Sequence, residues 1–217
     1  MKRMLFAALL LVSSVPAFAQ TYAEVGLGVN FGQSVSTKTY SLTSGATTAV
    51  GKVDLDYDAG IAAGAEVGYA GLAGIPQLRL GLGYDYIEGK FSSGVVTGTV
   101  NGAPGSFSFN RATVTSLGAT LDNNVHLVTA NAYYDLPSFG AITPYLGAGL
   151  GGAFIDHADS SFALTASAGL RMPISENTYL GVRYRFYHVD STTDNIGIKY
   201  EPIMAHSVMA ILGMNLD

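Results

Sequence analysis

The residues of this chain that could do chemistry are few, and their spacing decides what they could do. There are four histidines, His126, His157, His188 and His206. A hydrolase needs a serine and a histidine in contact, with an acid or amide orienting the imidazole. His206 and Ser207 are adjacent, so on a strand their side chains leave opposite faces. His126 has Asn124 and Thr129 nearby but no serine two residues on. The plain reading is ordinary rim and loop histidines. A metal needs convergent ligands, and His157 with Asp156 and Asp159 is at most a loop candidate. Asp54, Asp56 and Asp58 alternate onto one face, and hard cations favour clustered carboxylates. They lack the spacing and glycine turn of a calcium loop, so a solvated acidic rim fits them better. Gly147, Gly149, Gly151 and Gly152 alternate with Leu and Ala and continue as strand. A phosphate loop needs a helix starting behind its glycines. No catalytic residue, cofactor or metal site is expected.

The more telling charges are Glu24, Glu66, Arg79, Asp85, Arg171, Arg183 and Arg185. Each sits among small or polar residues on one face of an alternating segment. The longest such segment is Val53 to Tyr69. One parity reads Val53, Leu55, Tyr57, Ala59, Ile61, Ala63, Ala65, Val67, Tyr69; the other reads Asp54, Asp56, Asp58, Gly60, Ala62, Gly64, Glu66, Gly68. Side chains on a strand alternate faces, so this is a strand with one wholly apolar side. It exceeds the ~3–10 residues of globular strands, and a tilted strand needs ~9–11 residues to cross a bilayer. Membrane barrels turn apolar residues out to lipid and polar or small ones inward.

Other segments repeat the pattern. They are Thr21 to Phe31, Leu78 to Phe91, Val125 to Leu136, Ile142 to Ile155, Phe162 to Met172, Thr178 to Val189, and a last strand with Val208, Ala210, Leu212, Met214 and Leu216 outward. With Val53 to Tyr69 this makes an even number of strands, eight. The connections after the second, fourth and sixth are short and carry Pro76, Pro137 and Pro173. Proline cannot donate to a ladder, so turns suit it. The connections Gln33 to Lys52 and Ser92 to Asn124 are long and polar. The second holds Asn101-Gly102, a hairpin signal between alternating arms. Short turns lie on the periplasmic side of such barrels and longer loops outside, so both termini are expected in the periplasm.

Composition agrees. Charged residues are only 12% of the chain, against about 25% in ordinary domains. After the leader, no run approaches the ~18 apolar residues of a membrane helix. Cysteine is absent, which removes disulfide and thiolate chemistry. Lys2 and Arg3, the apolar Leu5 to Val12, and Ala17-Phe18-Ala19 before Gln20 make a secretory signal with cleavage after Ala19. The expected domains are therefore the leader, 1–19, and the barrel, 20–217. Losing Lys2 and Arg3 takes the formal charge from −5 to −7. With no basic cluster, nucleic-acid binding is not expected.

The segments Asn131-Ala132-Tyr133-Tyr134-Asp135-Leu136, Pro144-Tyr145-Leu146-Gly147-Ala148-Gly149-Leu150-Gly151 and Gly181-Val182-Arg183-Tyr184-Arg185 carry a resemblance. The chain resembles the small eight-stranded outer-membrane barrels: opacity-like surface antigens, the OmpA transmembrane domain and OmpX. It departs from them in ending Asn215-Leu216-Asp217 rather than on an aromatic residue. It also lacks tryptophan, so any aromatic girdle must be Tyr and Phe. The resemblance implies an all-β, up-and-down antiparallel transmembrane barrel in the outer membrane of a Gram-negative bacterium. It implies a non-enzymatic surface protein serving membrane integrity, adhesion or antigen display, and occasionally small-solute passage. The expected partners are outer-membrane lipid and lipopolysaccharide, with a host or surface ligand on the loops, and the expected state is a monomer. A porin-like channel and an outer-membrane lipid-modifying enzyme stay open as alternatives. The luminal charges carry the choice between plug and pore. Opposite signs at similar depth suggest an internal ion-pair network, with Asp85 the best partner by depth for Arg183 and Arg185; the alternative is a selectivity ring.

Overall fold

A computed structural model describes residues 20–156, 158–193 and 198–216. The leader, with Ala17 and Ala19, and His157 lie outside the described residues, and Gln20 opens the first strand. The strands are β1 (Gln20–Ser36), β2 (Tyr40–Ser44), β3 (Thr47–Asp58), β4 (Gly60–Ala70), β5 (Leu78–Ile87), β6 (Lys90–Val100), β7 (Ala103–Asn110), β8 (Val125–Asp135), β9 (Thr143–Ile155), β10 (Ser161–Pro173), β11 (Thr178–Val189) and β12 (Ile203–Asn215); one short helix, α1 (Arg111–Ser116), follows β7. Eight of the strands close a ring in the order β1-β4-β5-β8-β9-β10-β11-β12, and β12 pairs back onto β1. Every pairing is antiparallel, so the fold is an all-β barrel with no free edge around its wall.

β1 begins and β12 ends at the same end of the barrel, where Tyr22 pairs with Asn215 and Gln20 with Ala70. The short turns 71–77, 136–142 and 174–177 are at this end. The long connections are at the other, and they are not shapeless. β3 and β6 continue β4 and β5 upward as a paired ribbon flanked by β2 and β7. Asn101 (φ 49°) and Gly102 (φ 83°) are both left-handed and close the β6–β7 hairpin. This is the turn their sequence signals.

The exposed wall is apolar. Val25, Leu27, Leu80, Leu82, Val182 and Leu212 all face outward. One face assignment read from the sequence needs correcting. The unbroken apolar parity of Val53 to Tyr69 does not lie on one side. Val67 is 56% exposed on the wall, whereas Leu55 is 8% exposed inside. The strand breaks at Ala59, between β3 and β4, which is the extra residue here; the separate β3–β6 register shift between Asp56 and Tyr57 has its extra residue, Ser92, on β6. One extra residue turns every later side chain to the other face. β1 does the same at Gly32 (φ 69°), where its register against β12 also slips. Glu24 and Asn30 point inward below that residue, Gln33 and Val35 above it. The Asn30 side chain holds the break together: its Nδ2 donates to Glu88 O at 2.8 Å and its Oδ1 accepts from Gly60 N at 2.7 Å.

The flips give the barrel two interiors. Toward the loop end the lumen is packed with Val35, Leu55, Ile87, Phe91, Val125, Leu127, Ile155, Tyr187, Val189 and Ile203. Phe109 of β7, Val114 of α1 and Tyr200 cover this cluster from above. Arg111 fixes the cover by donating to Phe91 O at 2.8 Å and pairing with Asp122 at 2.9 Å. Toward the terminal end the lumen is polar.

Candidate functional site

The polar half of the lumen collects the inward residues of all eight barrel strands. β1 supplies Tyr22 and Glu24; β4, Glu66; β5, Arg79 and Asp85; β8, Asn131, Tyr133 and Asp135. β9 supplies Tyr145; β10, Ser167 and Arg171; β11, Tyr179, Arg183 and Arg185; β12, Met209 and Ile211. Glycines make the room. A Cβ on Gly147 would fall 2.2 Å from the Tyr133 ring, one on Gly169 2.4 Å from Tyr145, and one on Gly213 2.2 Å from Tyr179. Each of these tyrosines lies over the glycine paired with it on the next strand.

Glu24 is one hub. Its carboxylate pairs with Arg183, takes Arg79 Nη1 at 3.1 Å and accepts from Tyr179 OH at 2.6 Å. Arg79 also reaches Asp135 at 3.2 Å, and Arg171 pairs with the other oxygen of Asp135. Glu66 is the second hub. It accepts from Tyr22 OH at 2.6 Å, Tyr133 OH at 2.7 Å and Asn131 Nδ2 at 2.8 Å. Arg185 donates to Asp85 at 2.5 Å and to Ser167 at 3.0 Å, and stands 3.6 Å from Glu66. Arg183 donates to Tyr145 OH at 3.0 Å. Arg79 stacks 4.9 Å from both the Tyr133 and Tyr145 ring centres. A buried guanidinium needs its fork filled and its charge matched, and each arginine here has a carboxylate.

The structure therefore brings together Glu24, Glu66, Arg79, Asp85, Arg171, Arg183 and Arg185. Arg183 goes to Glu24, while Arg185 takes Asp85. Asp135 and the tyrosines Tyr22, Tyr133, Tyr145 and Tyr179 complete the set. Asp135 has the same parity as Asn131 and Tyr133, which was the signal for it in the sequence. Arg79, Arg171, Arg183 and Arg185 against Glu24, Glu66, Asp85 and Asp135 leave the lumen formally neutral. Such a set does not favour an ion of either sign. Between Glu24, Gly26, Gly64, Glu66, Asp85 and Arg183 there is room for about one water. Thr129 Oγ1 and both amide atoms of Gln33 are buried without a protein partner among the described residues; ordered water is the usual partner of such groups.

The other candidates do not converge. Ser207 is buried in the lumen beside Tyr187 OH, at 3.2 Å, while His206 lies on the outer wall. Asp54 is on the outer face of β3, accepting from Ser36 Oγ at 2.6 Å and pairing with Lys52 at 3.1 Å. The Ser36 and Lys52 hydrogen bonds hold its carboxyl below the usual range. Asp58 sits across from Lys90. Gly147, Gly149, Gly151 and Gly152 lie within β9.

A family model described as "Outer membrane protein beta-barrel domain" matches residues 5–203. An uncharacterized protein of Brucella abortus is 33% identical over 88 residues, covering 31% of this chain and 31% of that protein. The chain thus spans about a third of the length of the curated relatives it matches. Among solved structures, Neisserial surface protein A superimposes with a TM-score of 0.54 at 14% identity, covering 90% of this chain and 97% of that one. The outer membrane protein OprG from Pseudomonas aeruginosa gives 0.46 at 13% identity, covering 94% and 99%. The first of these is a likeness of fold.

Proposed function

Because the chain belongs to the outer-membrane β-barrel domain family and so to the outer membrane of a Gram-negative bacterium, we propose that it is a non-enzymatic surface protein with a closed lumen. In this reading the loop end faces the outside and both termini face the periplasm. The barrel stands as a monomer in lipid and lipopolysaccharide, and the β2–β3 and β6–β7 hairpins display the surface that a host or other ligand would meet. The observation that carries the closed lumen is its double filling, a neutral ion-pair network beneath an apolar plug. Eight strands leave an interior that side chains can fill.

The test is conductance. The unmodified protein is expected to give no steady current in a planar bilayer. Arg183→Ala, which removes a long side chain and leaves Glu24 with Arg79 as its one remaining cation among the described residues, is the variant most apt to leak. A large, steady, ion-selective current from the unmodified protein would overturn the reading and make the same arginines a pore lining.

Orientation has its own test. Gly45 (φ 60°) lies in the tight turn between β2 and β3 and has nothing within 4 Å of where a Cβ would stand. Such tips tolerate insertion. An epitope placed after Gly45 is expected to be detected on intact cells. Detection only after permeabilisation would reverse the orientation.

A further inference from the structure

The outer wall carries one construction twice. On β5, Tyr84 and Tyr86 flank Asp85; on β11, Tyr184 and Phe186 flank Arg185. The neighbouring strands carry His126-Leu127-Val128 and His206-Ser207-Val208. The register is the same in both places: Tyr86 faces His126 and Tyr84 faces Val128, while Phe186 faces His206 and Tyr184 faces Val208. In each, the tyrosine hydroxyl lies 2.7 Å from Nδ1 of the diagonal histidine. The aromatic ring opposite packs on the imidazole, Tyr86 at 5.4 Å and Phe186 at 5.2 Å.

β5 and β11 are diametrically opposite in the ring. The residues between the aromatics, Asp85 and Arg185, point inward and meet at 2.5 Å. The two Tyr–His pairs are therefore at one depth on opposite sides, joined by an ion pair across the lumen. That depth is a boundary. Below it the wall is Leu82, Val182 and Ala210. Above it, beside Met204, stand Glu88 paired with Lys90 at 3.0 Å, Asn124 hydrogen-bonded to Asp156 at 3.0 Å, and His188 facing Asp190 at 3.4 Å.

We propose that each pair is a hydrogen-bond donor site for the acyl-linkage carbonyl, ester or amide, of a bilayer lipid. With the tyrosine hydroxyl donating to Nδ1, the imidazole keeps its proton on Nε2, and neither Nε2 has a hydrogen-bond partner among the described residues. A wall residue at the edge of the apolar band meets the groups that join acyl chains to the headgroup. The surroundings choose between these and a phosphate. Asp156 and Asp190 lie on the headgroup side of the two sites and would repel a phosphate, but not a neutral carbonyl, while Glu88 is already matched by Lys90 at 3.0 Å. The proposal extends the lipid contact of a family barrel to two addressed positions and needs no assumption about which end faces outside.

The experiment compares vesicles of a diester phosphatidylcholine with its diether analogue, which has the same headgroup and chains but no carbonyl. Phosphatidylglycerol is added to each as a separate arm. One readout is the urea unfolding equilibrium of the folded barrel; the other is the ¹⁵N resonance of each histidine Nε2. The diester is expected to favour the folded state by roughly 2- to 10-fold per site, as a hydrogen bond does. Both Nε2 resonances should move between diester and diether. H126F with H206F keeps the ring stacking and should abolish the difference; Y84F, which frees the tautomer of His126, should weaken it at one site. If the double variant does not fold, the Nε2 resonances of the unmodified protein still decide. A diester–diether difference that survives in the double variant overturns the proposal. So do Nε2 resonances that ignore the carbonyl, or that answer only to phosphatidylglycerol.

Discussion

Glu24→Ala is expected to cost the folded barrel about 3–5 kcal/mol, measured by urea unfolding in lipid vesicles, because it strands a buried cation. Arg183 is 3% exposed, and Glu24 is its ion-pair partner. Without Glu24 its one hydrogen bond among the described residues is to Tyr145 OH at 3.0 Å, beside the Tyr133 ring at 5.2 Å. Arg79 is less harmed, since Asp135 remains, and Tyr179 OH loses its acceptor. Attraction between the partners is not the main part of this cost. Taking one charge away leaves the other desolvated and unmatched. It follows that Glu24→Leu combined with Arg183→Met should be milder than Glu24→Ala alone, since no ion is then orphaned. Glu24→Gln, which keeps the shape and an acceptor but not the charge, should fall between. A cost under about 1 kcal/mol for Glu24→Ala would mean that water already reaches Arg183, and the closed lumen would fall with it.

The polar half of this lumen was legible because alternation is enforced there by two solvents. From Val125 to Asp135 and from Thr178 to Val189, lipid on one side and a tight interior on the other leave the parity no freedom. Inward residues could be named from spacing alone. Partners could not. Pairing across a barrel depends on the stagger of its strands, which no local pattern reports. Arg183 thus meets Glu24, although Asp85 is nearer to it in apparent depth. Asp135 was readable by the same alternation that gave Asn131 and Tyr133, had their parity been carried two residues further.

The apolar half was not legible, and the reason is physical. Above Gly32, Ala59 and the Asp56/Tyr57 shift the wall leaves the apolar band, so an apolar residue there gains by turning inward. A single inserted residue does this without disturbing the apolar/polar alternation on paper. Leu55 and Ile61 belong to one continuous apolar parity in the sequence, yet Leu55 packs with Ile87, Phe91 and Val125 while Ile61 stands on the wall. Of the residues at these irregularities, only Gly32, left-handed at φ 69°, belongs to the type that commonly marks a bulge. Ala59 carries no such mark. The Ser/Thr-rich sequence of β2 likewise read as loop, because strands paired above a membrane need not alternate strongly, whereas the arms around Asn101-Gly102 did signal the β6–β7 hairpin.

Leu82→Arg is the substitution that separates the two kinds of apolar residue, with an expected cost of about 2–4 kcal/mol near the bilayer midplane. Leu82 is 47% exposed in the outward row of β5, between Leu80 and Tyr84. An arginine there must hold its charge in hydrocarbon or thin the bilayer around itself. The cost should therefore shrink when the same variant is folded in shorter-chain lipid, where the polar boundary comes closer. Leu55 shares the apolar character but not the solvent. Leu55→Ala opens a hole among protein side chains, costing about 2–5 kcal/mol by lost contacts and cavity, and that loss should be the same in thick and thin bilayers. If Leu55→Ala tracked lipid thickness, or Leu82→Arg did not, the strand reversal at Ala59 would be wrong and Val53 to Tyr69 would be a single lipid-facing strand after all.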